Sequence, residues 1–362
     1  MTLIRLSNIC LNFLTNVSIP IRNIYYLMLY AWGKFTPGAL VDVGQDISPD
    51  LPNLFAKVLN QSTKRLLRRG LGQGYVGYTD ETRCPRGKLR MDLIAKRQTL
   101  LRGFAVCDMD EFTLDILHNQ ILKSTLRKLS SCKDVQQSLR HELRLTLKRF
   151  ANVTDIRVSG SVFARVQLSR NLAHYGLPLK ISEFVFHSLM PDELGSGNKF
   201  KNILENEKQM AAIFEAFLLN FYKLESQNFE VGSQRLQWDA VSQNSAHLNF
   251  LPGMQTDITL KGTKSNAGRI IVSDAKYYKE ALTKGRFGKK TVRSAHLYQL
   301  STYLIHTQSK NPDAVVSGLL IYPTSGDCLS LDYTIMGFPV KIVSVNLNQA
   351  WHDIHEELLG FI

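Results

Sequence analysis

The sequence contains no run of about 18 apolar residues, which removes a membrane-spanning helix from consideration. It has no C-x-x-C pair, and its five cysteines (Cys10, Cys84, Cys107, Cys132 and Cys328) stand singly. That scatter argues against a structural zinc site, and the odd number fits a reducing cytoplasm better than a disulfide framework. No nucleotide-binding loop competes for the interpretation: "GRFGKKT" at 285–291 has a glycine and lysines but not the G-x₄-G-K-[ST] spacing. No G-x-S-x-G elbow or Ser-His-Asp arrangement stands out, and there are no internal repeats or low-complexity runs. His352 and His355 are spaced i, i+3 without a third ligand nearby, which assigns them a surface or packing role.

What is present is a chain of 362 residues, too long for one typical core, so two domains are the default. An apolar share of 44% and a charged share of 21% are those of a soluble globular protein. The net charge of +13 is unevenly spread: residues 1–199 hold 28 Lys and Arg against 16 Asp and Glu, whereas residues 200–362 hold 16 against 15. A basic first half suits phosphates or an acidic partner surface, or simply solubility, and charge by itself does not choose. The stretch 191–199, "PDELGSGNK", is the best linker candidate and falls where the charge balance changes. Residues 1–18 carry one arginine and no clean cleavage site, and read as a leader extension rather than a signal peptide.

Periodicity predicts a helix over 19–35, entered at Pro20 and ended at Gly33, with Ile24, Leu27, Met28 and Ala31 at helical spacing. A second amphipathic helix spans 51–71, and its Arg68 and Arg69 suit the helix C-terminus. A strand-and-turn region follows, then helices over roughly 111–130 and 133–150. In the second half, Met210, Ile213, Phe214, Phe217, Leu218 and Phe221 form one helical face with Glu215 at its edge. Strand-like segments near 235–241 and 256–260, the turn-rich 261–269, a strand over 270–275, a helix over 293–308, a buried-type strand over 317–323 and a closing helix indicate an α/β domain around a mixed sheet.

The chemistry concentrates in "IIVSDAKYY", 270–278, where a buried-looking strand ends in Asp274 and Lys276. Residues i and i+2 share a face, so the two stand side by side, either as an ion pair or as a metal ligand beside a cation that polarises water. A hairpin through 261–269 brings Asp257, in "MQTDITL", next to Asp274. Two carboxylates so close are costly unless a cation lies between them. Mg²⁺ suits such a site, because one or two carboxylates plus a substrate phosphate hold it. Downstream, Lys284, Arg286, Lys289, Lys290 and Arg293 form a glycine-bearing basic segment placed to grip a DNA backbone, or else a solvated loop. Gln299 and Tyr303 lie i, i+4 on the following helix, facing the same way, to orient the phosphate or the lysine, or to pack.

The combination resembles the PD-(D/E)XK nuclease superfamily, with Thr256-Asp257 in place of Pro-Asp, then Asp274-Ala275-Lys276, and Gln299 and Tyr303 matching the Q-x-x-x-Y helix motif of its RecB-like members. It is similar in more detail to the McrC family, the nuclease subunits of McrBC modification-dependent restriction systems. "IPIRNIYYLMLYAWG", "RGKLR", "LPGMQTDITL", "VSDAKYYK", "LYQLSTYL", "GLLIYP" and "VNLNQAWHDIHEELL" carry this resemblance across both halves. It implies a partner-engaging α+β domain over 19–195 and a restriction-endonuclease-like mixed sheet flanked by helices over 200–362. It also implies Asp257 and Asp274 as Mg²⁺ ligands, Lys276 as the catalytic lysine, and Glu215 as a possible further acid. The implied partner is an McrB-like hexameric AAA+ GTPase that binds GTP itself and reads 5-methylcytosine or a related base in double-stranded DNA. The basic first half then faces either the partner's pore or DNA. Two other readings stay open: a non-cleaving activator of the GTPase, and a stand-alone RecB-like repair nuclease.

Overall fold

A computed structural model describes residues 19–34, 50–191, 198–200, 206–277, 282–284, 290–326 and 328–362. The chain divides into two compact units, one of residues 38–202 and the other joining 1–37 to 203–362. Helix α1 (Ile21–Ala31) thus belongs with the C-terminal half, where the sequence expectation had assigned 19–195 to the first domain. The reason is physical: every residue from Asn23 to Tyr30 is buried, so α1 has no face to offer solvent. It packs along α8, the long helix described below. Asn23 Nδ2 donates to the carbonyls of Leu347 (2.9 Å) and Gln349 (2.8 Å), and Tyr30 Oη donates to Glu225 Oε1 at 2.7 Å. The leader, 1–18, lies outside the described residues.

The middle unit starts with α2 (Leu51–Arg69), whose Asp50 cap accepts from Asn53 N at 3.0 Å and which stops at Gly70, φ +91°. Strand β1 (Gly74–Thr82), β2 (Lys88–Leu89), α3 (Met91–Arg97) and β3 (Ala105–Thr113) follow, the strands forming an antiparallel sheet in the order β1-β3-β2. Helices α4 (Leu117–Ser131), α5 (Gln137–Leu147), α6 (Gly160–Ala164) and α7 (Gly176–Ser188) and the β4–β5 hairpin (Leu189–Pro191 with Asn198–Phe200) complete it. The helix expected from 111 begins at Leu117 instead. Glu111, Phe112 and Thr113 pair with Val76, Tyr75 and Gly74, so partner strand β1 overrides the local pattern. Six residues of the expected linker, 192–197, lie outside the described residues.

The other unit continues with α8 (Glu207–Glu225), β6 (Phe229–Gly232), the short pair β7 (Arg235–Leu236) and β8 (Met254–Gln255), β9 (Ile258–Gly262) and β10 (Arg269–Ala275). Then come the pair β11 (Leu282–Lys284) and β12 (Lys290–Val292), α9 (Ser294–Lys310), β13 (Val315–Thr324), β14 (Ser330–Ile335), β15 (Phe338–Asn346) and α10 (Trp351–Leu359). Six strands make one mixed sheet in the order β14-β15-β13-β10-β9-β6, with β10, β13 and β15 parallel and the others antiparallel. This is the α/β architecture the sequence implies.

Strand alternation sorts the core into two layers. Ile271, Leu319, Ile321, Val343 and Val345 pack under α1, α8 and α10. Ile270, Val272, Leu320, Tyr322 and Ile342 pack under α9, against Leu300, Tyr303 and Leu304. Gly318 lets α9 come close: a Cβ there would lie 3.0 Å from Leu304 Cδ1 and 3.1 Å from Leu300 Cδ2. Asp274 continues the parity of Ile270 and Val272, which aims its carboxylate to the α9 side.

Candidate active site

The β9–β10 hairpin sets the two acids. The register pairs Ser273 with Ile258, and one step further places Asp274 opposite Asp257 at the strand ends. Asp257 Oδ2 accepts from Ala275 N at 2.9 Å, which ties the carboxylate to the end of β10. Thr256, where the resemblance has proline, is 1% exposed and fixed by its own hydrogen bonds. Its N–H donates to Gln234 O at 3.0 Å, and its hydroxyl accepts from Gln234 N at 2.9 Å and lies 2.8 Å from Thr259 Oγ1.

Asp274 is fully buried, and Lys276 Nζ stands 2.8 Å from its Oδ2. Lys276 lies just beyond β10, yet its N–H donates to Ile321 O at 3.0 Å and so prolongs the pairing with β13. Asp274 Oδ1 has no hydrogen-bond partner among the described residues. Burial, then the charge of Asp257, push the Asp274 carboxyl up from 3.8 to about 7, against the pull of Lys276. For Lys276, burial works to lower the pKa, but Asp274, Asp257 and Tyr303 outweigh it and the net shift is upward. The lysine is therefore a charged partner held by the site.

Glu215 keeps an exposed surface on α8, yet partial desolvation and the nearby Asp257 raise its pKa while Lys276 lowers it. Those couplings are to Asp257 and Lys276. From α9, Gln299 Nε2 donates to Tyr303 Oη at 2.9 Å, and the mostly buried Tyr303 acts on Lys276. Asp257, Asp274 and Lys276 thus meet at the strand ends, with Tyr303, and Gln299 through it, reaching them from α9. Of the basic segment, Arg293 caps α9 and lies near His296. Lys284 and Lys290 pair across β11 and β12. The Lys284 and Lys290 side chains, and Arg286 and Lys289 entirely, fall outside the described residues. His355 packs against Phe221 and meets Glu225 at 3.2 Å, in keeping with a packing role.

Two residues at the site escape the sequence reading. His296, 6% exposed, has Nδ1 2.8 Å from the hydroxyl of fully buried Tyr322. His296 precedes Gln299 by three and Tyr303 by seven, so helical spacing was the available signal; Tyr322 reads as plain strand core.

Among the described residues no group of three His, Cys, Asp or Glu is arranged to hold a metal. A hard cation that keeps several waters needs fewer: the Asp257–Asp274 pair offers oxygen donors, and the orphaned Asp274 Oδ1 is a buried acceptor that a cation would satisfy. The donor set fits Mg²⁺. A cavity of about 610 Å³ lies elsewhere, between Arg269, Lys341 and Phe361, and plays no part in this cluster.

Comparison with known proteins agrees with this architecture. The chain is 30% identical over 341 residues, 94% of its length and 96% of the relative's, to the type IV methyl-directed restriction enzyme EcoKMcrBC of Escherichia coli strain K12. Its fold is similar to a chain in the half-complex from the tetradecameric assembly of Thermococcus gammatolerans McrB AAA+ hexamers with bound McrC. That match has a TM-score of 0.52 and 19% identity, and covers 95% of this chain and 76% of the other. Residues 22–323 match the family of McrBC 5-methylcytosine restriction system components, and the chain belongs to that family.

Proposed function

We propose that the chain is the Mg²⁺-dependent endonuclease subunit of a type IV, GTP-dependent restriction complex that cleaves DNA carrying modified cytosine, with a PD-(D/E)XK site. The observation that carries this reading is the buried Asp274 carboxylate facing Asp257 and paired with Lys276 at 2.8 Å, in a member of this restriction family. Asp257 and Asp274 would hold Mg²⁺, which would supply positive charge to the phosphate being cut. Lys276, held as an ammonium, orients the attacking water and adds positive charge to the developing transition state. Gln299 holds the Tyr303 hydroxyl, and Tyr303 lies near enough to Lys276 to help orient it. The basic segment with Arg293 holds the DNA backbone.

The partner is a McrB-like hexameric AAA+ GTPase, which binds GTP, reads the modified base and is stimulated by this subunit. The solved relative comes from an assembly of that kind. No described helix is long and apolar enough to cross a membrane, and a cytoplasmic site of action goes with the DNA substrate. The test is cleavage of cytosine-methylated against unmethylated plasmid with Mg²⁺, GTP and the cognate GTPase, for wild type and Asp274→Ala. Methylation-dependent cutting that disappears in the variant, with GTPase stimulation kept, is the expected result. Cutting independent of methylation and partner would indicate a stand-alone nuclease. Stimulation without any cutting would leave an activator.

A further inference from the structure

Lys276 is a long, flexible side chain asked to hold one position, and its ion pair with Asp274 fixes only one side of it. The register of β10 and β13 pairs Ala275 with Ile321, and the Lys276 N–H to Ile321 O bond carries the pairing one step on, so Tyr322 is the cross-strand neighbour of Lys276. Tyr322 is fully buried on the α9 side of the sheet, the side of Asp274. From above, α9 lowers His296 onto it, with the ring nitrogen 2.8 Å from the hydroxyl. About two helical turns along, Tyr303 stands on the same helix with its hydroxyl held by Gln299.

We propose that His296 and Tyr322 form a positioning pair for Lys276, a neutral hydrogen-bonded wall that directs the ammonium toward Asp274. The role rests on the nuclease reading of the site. Burial, then the charges of Lys276 and Arg293, push His296 down to about 4, so the imidazole meets the lysine uncharged. A charged ring there would repel the ammonium; an apolar one would take this bond away from the Tyr322 hydroxyl. A hydrogen-bonded neutral ring fills the space and fixes its own orientation, which is what a wall beside a catalytic cation requires. The pair acts through Lys276 and touches neither the phosphate nor the metal site.

The test uses the full chain with its GTPase partner and modified plasmid. It compares wild type with His296→Leu, His296→Asn, Tyr322→Phe and the double variant His296→Leu/Tyr322→Phe, with Asp274→Ala as control. Single-turnover cleavage rate, DNA affinity, melting temperature and GTPase stimulation are read for each. His296→Leu and Tyr322→Phe are each expected to slow cleavage by about 10- to 100-fold, the range for residues that orient a catalytic group, with DNA affinity and GTPase stimulation kept. His296→Asn, whose amide reaches the position of Nδ1, is expected to recover most of the rate. The double variant is expected to be no slower than the slower single one, because the two residues act as a unit.

A packing role gives the opposite order: leucine would cleave as well as asparagine or better, and that result overturns the proposal. Should His296→Leu fail to fold, Tyr322→Phe decides, since it removes one oxygen; wild-type cleavage by it overturns the proposal too. Cleavage surviving in Asp274→Ala would instead displace the active site itself, and the positioning role with it.

Discussion

Asp274 Oδ2 and Lys276 Nζ are 2.8 Å apart at the end of one strand, and the aspartate is fully buried while the lysine side chain keeps 18% of its surface. One cation thus serves two carboxylates, Asp274 and Asp257, and with both ionised the pair lacks one positive charge. That deficit governs both its chemistry and its stability.

The pH dependence follows from the sign of the Asp274 shift. An acid whose folded pKa is raised from 3.8 to about 7 keeps its proton in the folded state after the unfolded chain has lost it. Its contribution to stability therefore falls as pH rises from about 4 to about 7 and is level above that window. Metal-free wild type should lose melting temperature across this window relative to Asp274→Asn, which cannot ionise there. Mg²⁺ at pH 8 should raise the melting temperature of wild type and have a much smaller effect on the variant. Identical pH profiles for the two proteins would contradict the arrangement.

Lys276→Met keeps most of the unbranched side chain and removes its ammonium. Two facing carboxylates then lack their counter-ion, a loss of about 3–5 kcal/mol for a buried pair broken on one side. Cleavage should disappear, and the destabilisation should shrink at pH 5, where Asp274 is protonated. Chemical denaturation at pH 5 and pH 8 reads both effects.

Gly318→Ala tests the close approach of α9 to β13. The new methyl would stand 3.0 Å from Leu304 and 3.1 Å from Leu300. Overpacking of this kind costs about 1–3 kcal/mol. Because α9 carries His296, Gln299 and Tyr303, cleavage should fall as well, even though residue 318 makes no contact with the acids. A variant as stable and as active as wild type would show that the helix has room to move.

Asn23→Ala tests the place of α1. It leaves the Leu347 and Gln349 carbonyls without their donor, at a cost of about 1–3 kcal/mol for buried groups. Removal of residues 20–33 should be far worse, stripping the layer over α8 and costing the catalytic unit its fold. Circular dichroism and cleavage by the full chain distinguish these outcomes from a loss confined to partner assembly.

The reach of the sequence follows the range of the interactions. Asp257, Asp274 and Lys276 were legible because one hairpin joins them, and a period of two fixes which side chains share a face. Gln299 and Tyr303 were legible as a pair because i, i+4 spacing is a property of one helix. The helix at 21–31 was visible as a helix, but its home was not: its apolar and aromatic stripe says only that it is buried, and the layer that buries it is supplied by α8 and α10, far along the chain. The strand β3 was hidden for a related reason, since β1 had to be present to pair with it. His296 and Tyr322 lie on a helix and a strand that are separate in sequence. Only the folded sheet, with Lys276 drawn against Ile321 and α9 admitted by Gly318, sets one beside the other. Local chemistry, the acids, the lysine and the spacing, was thus written in the sequence alone. Which neutral groups surround the lysine, and which end of the chain roofs the sheet, was decided by packing, because those contacts depend on strand order and on layers that no local pattern encodes.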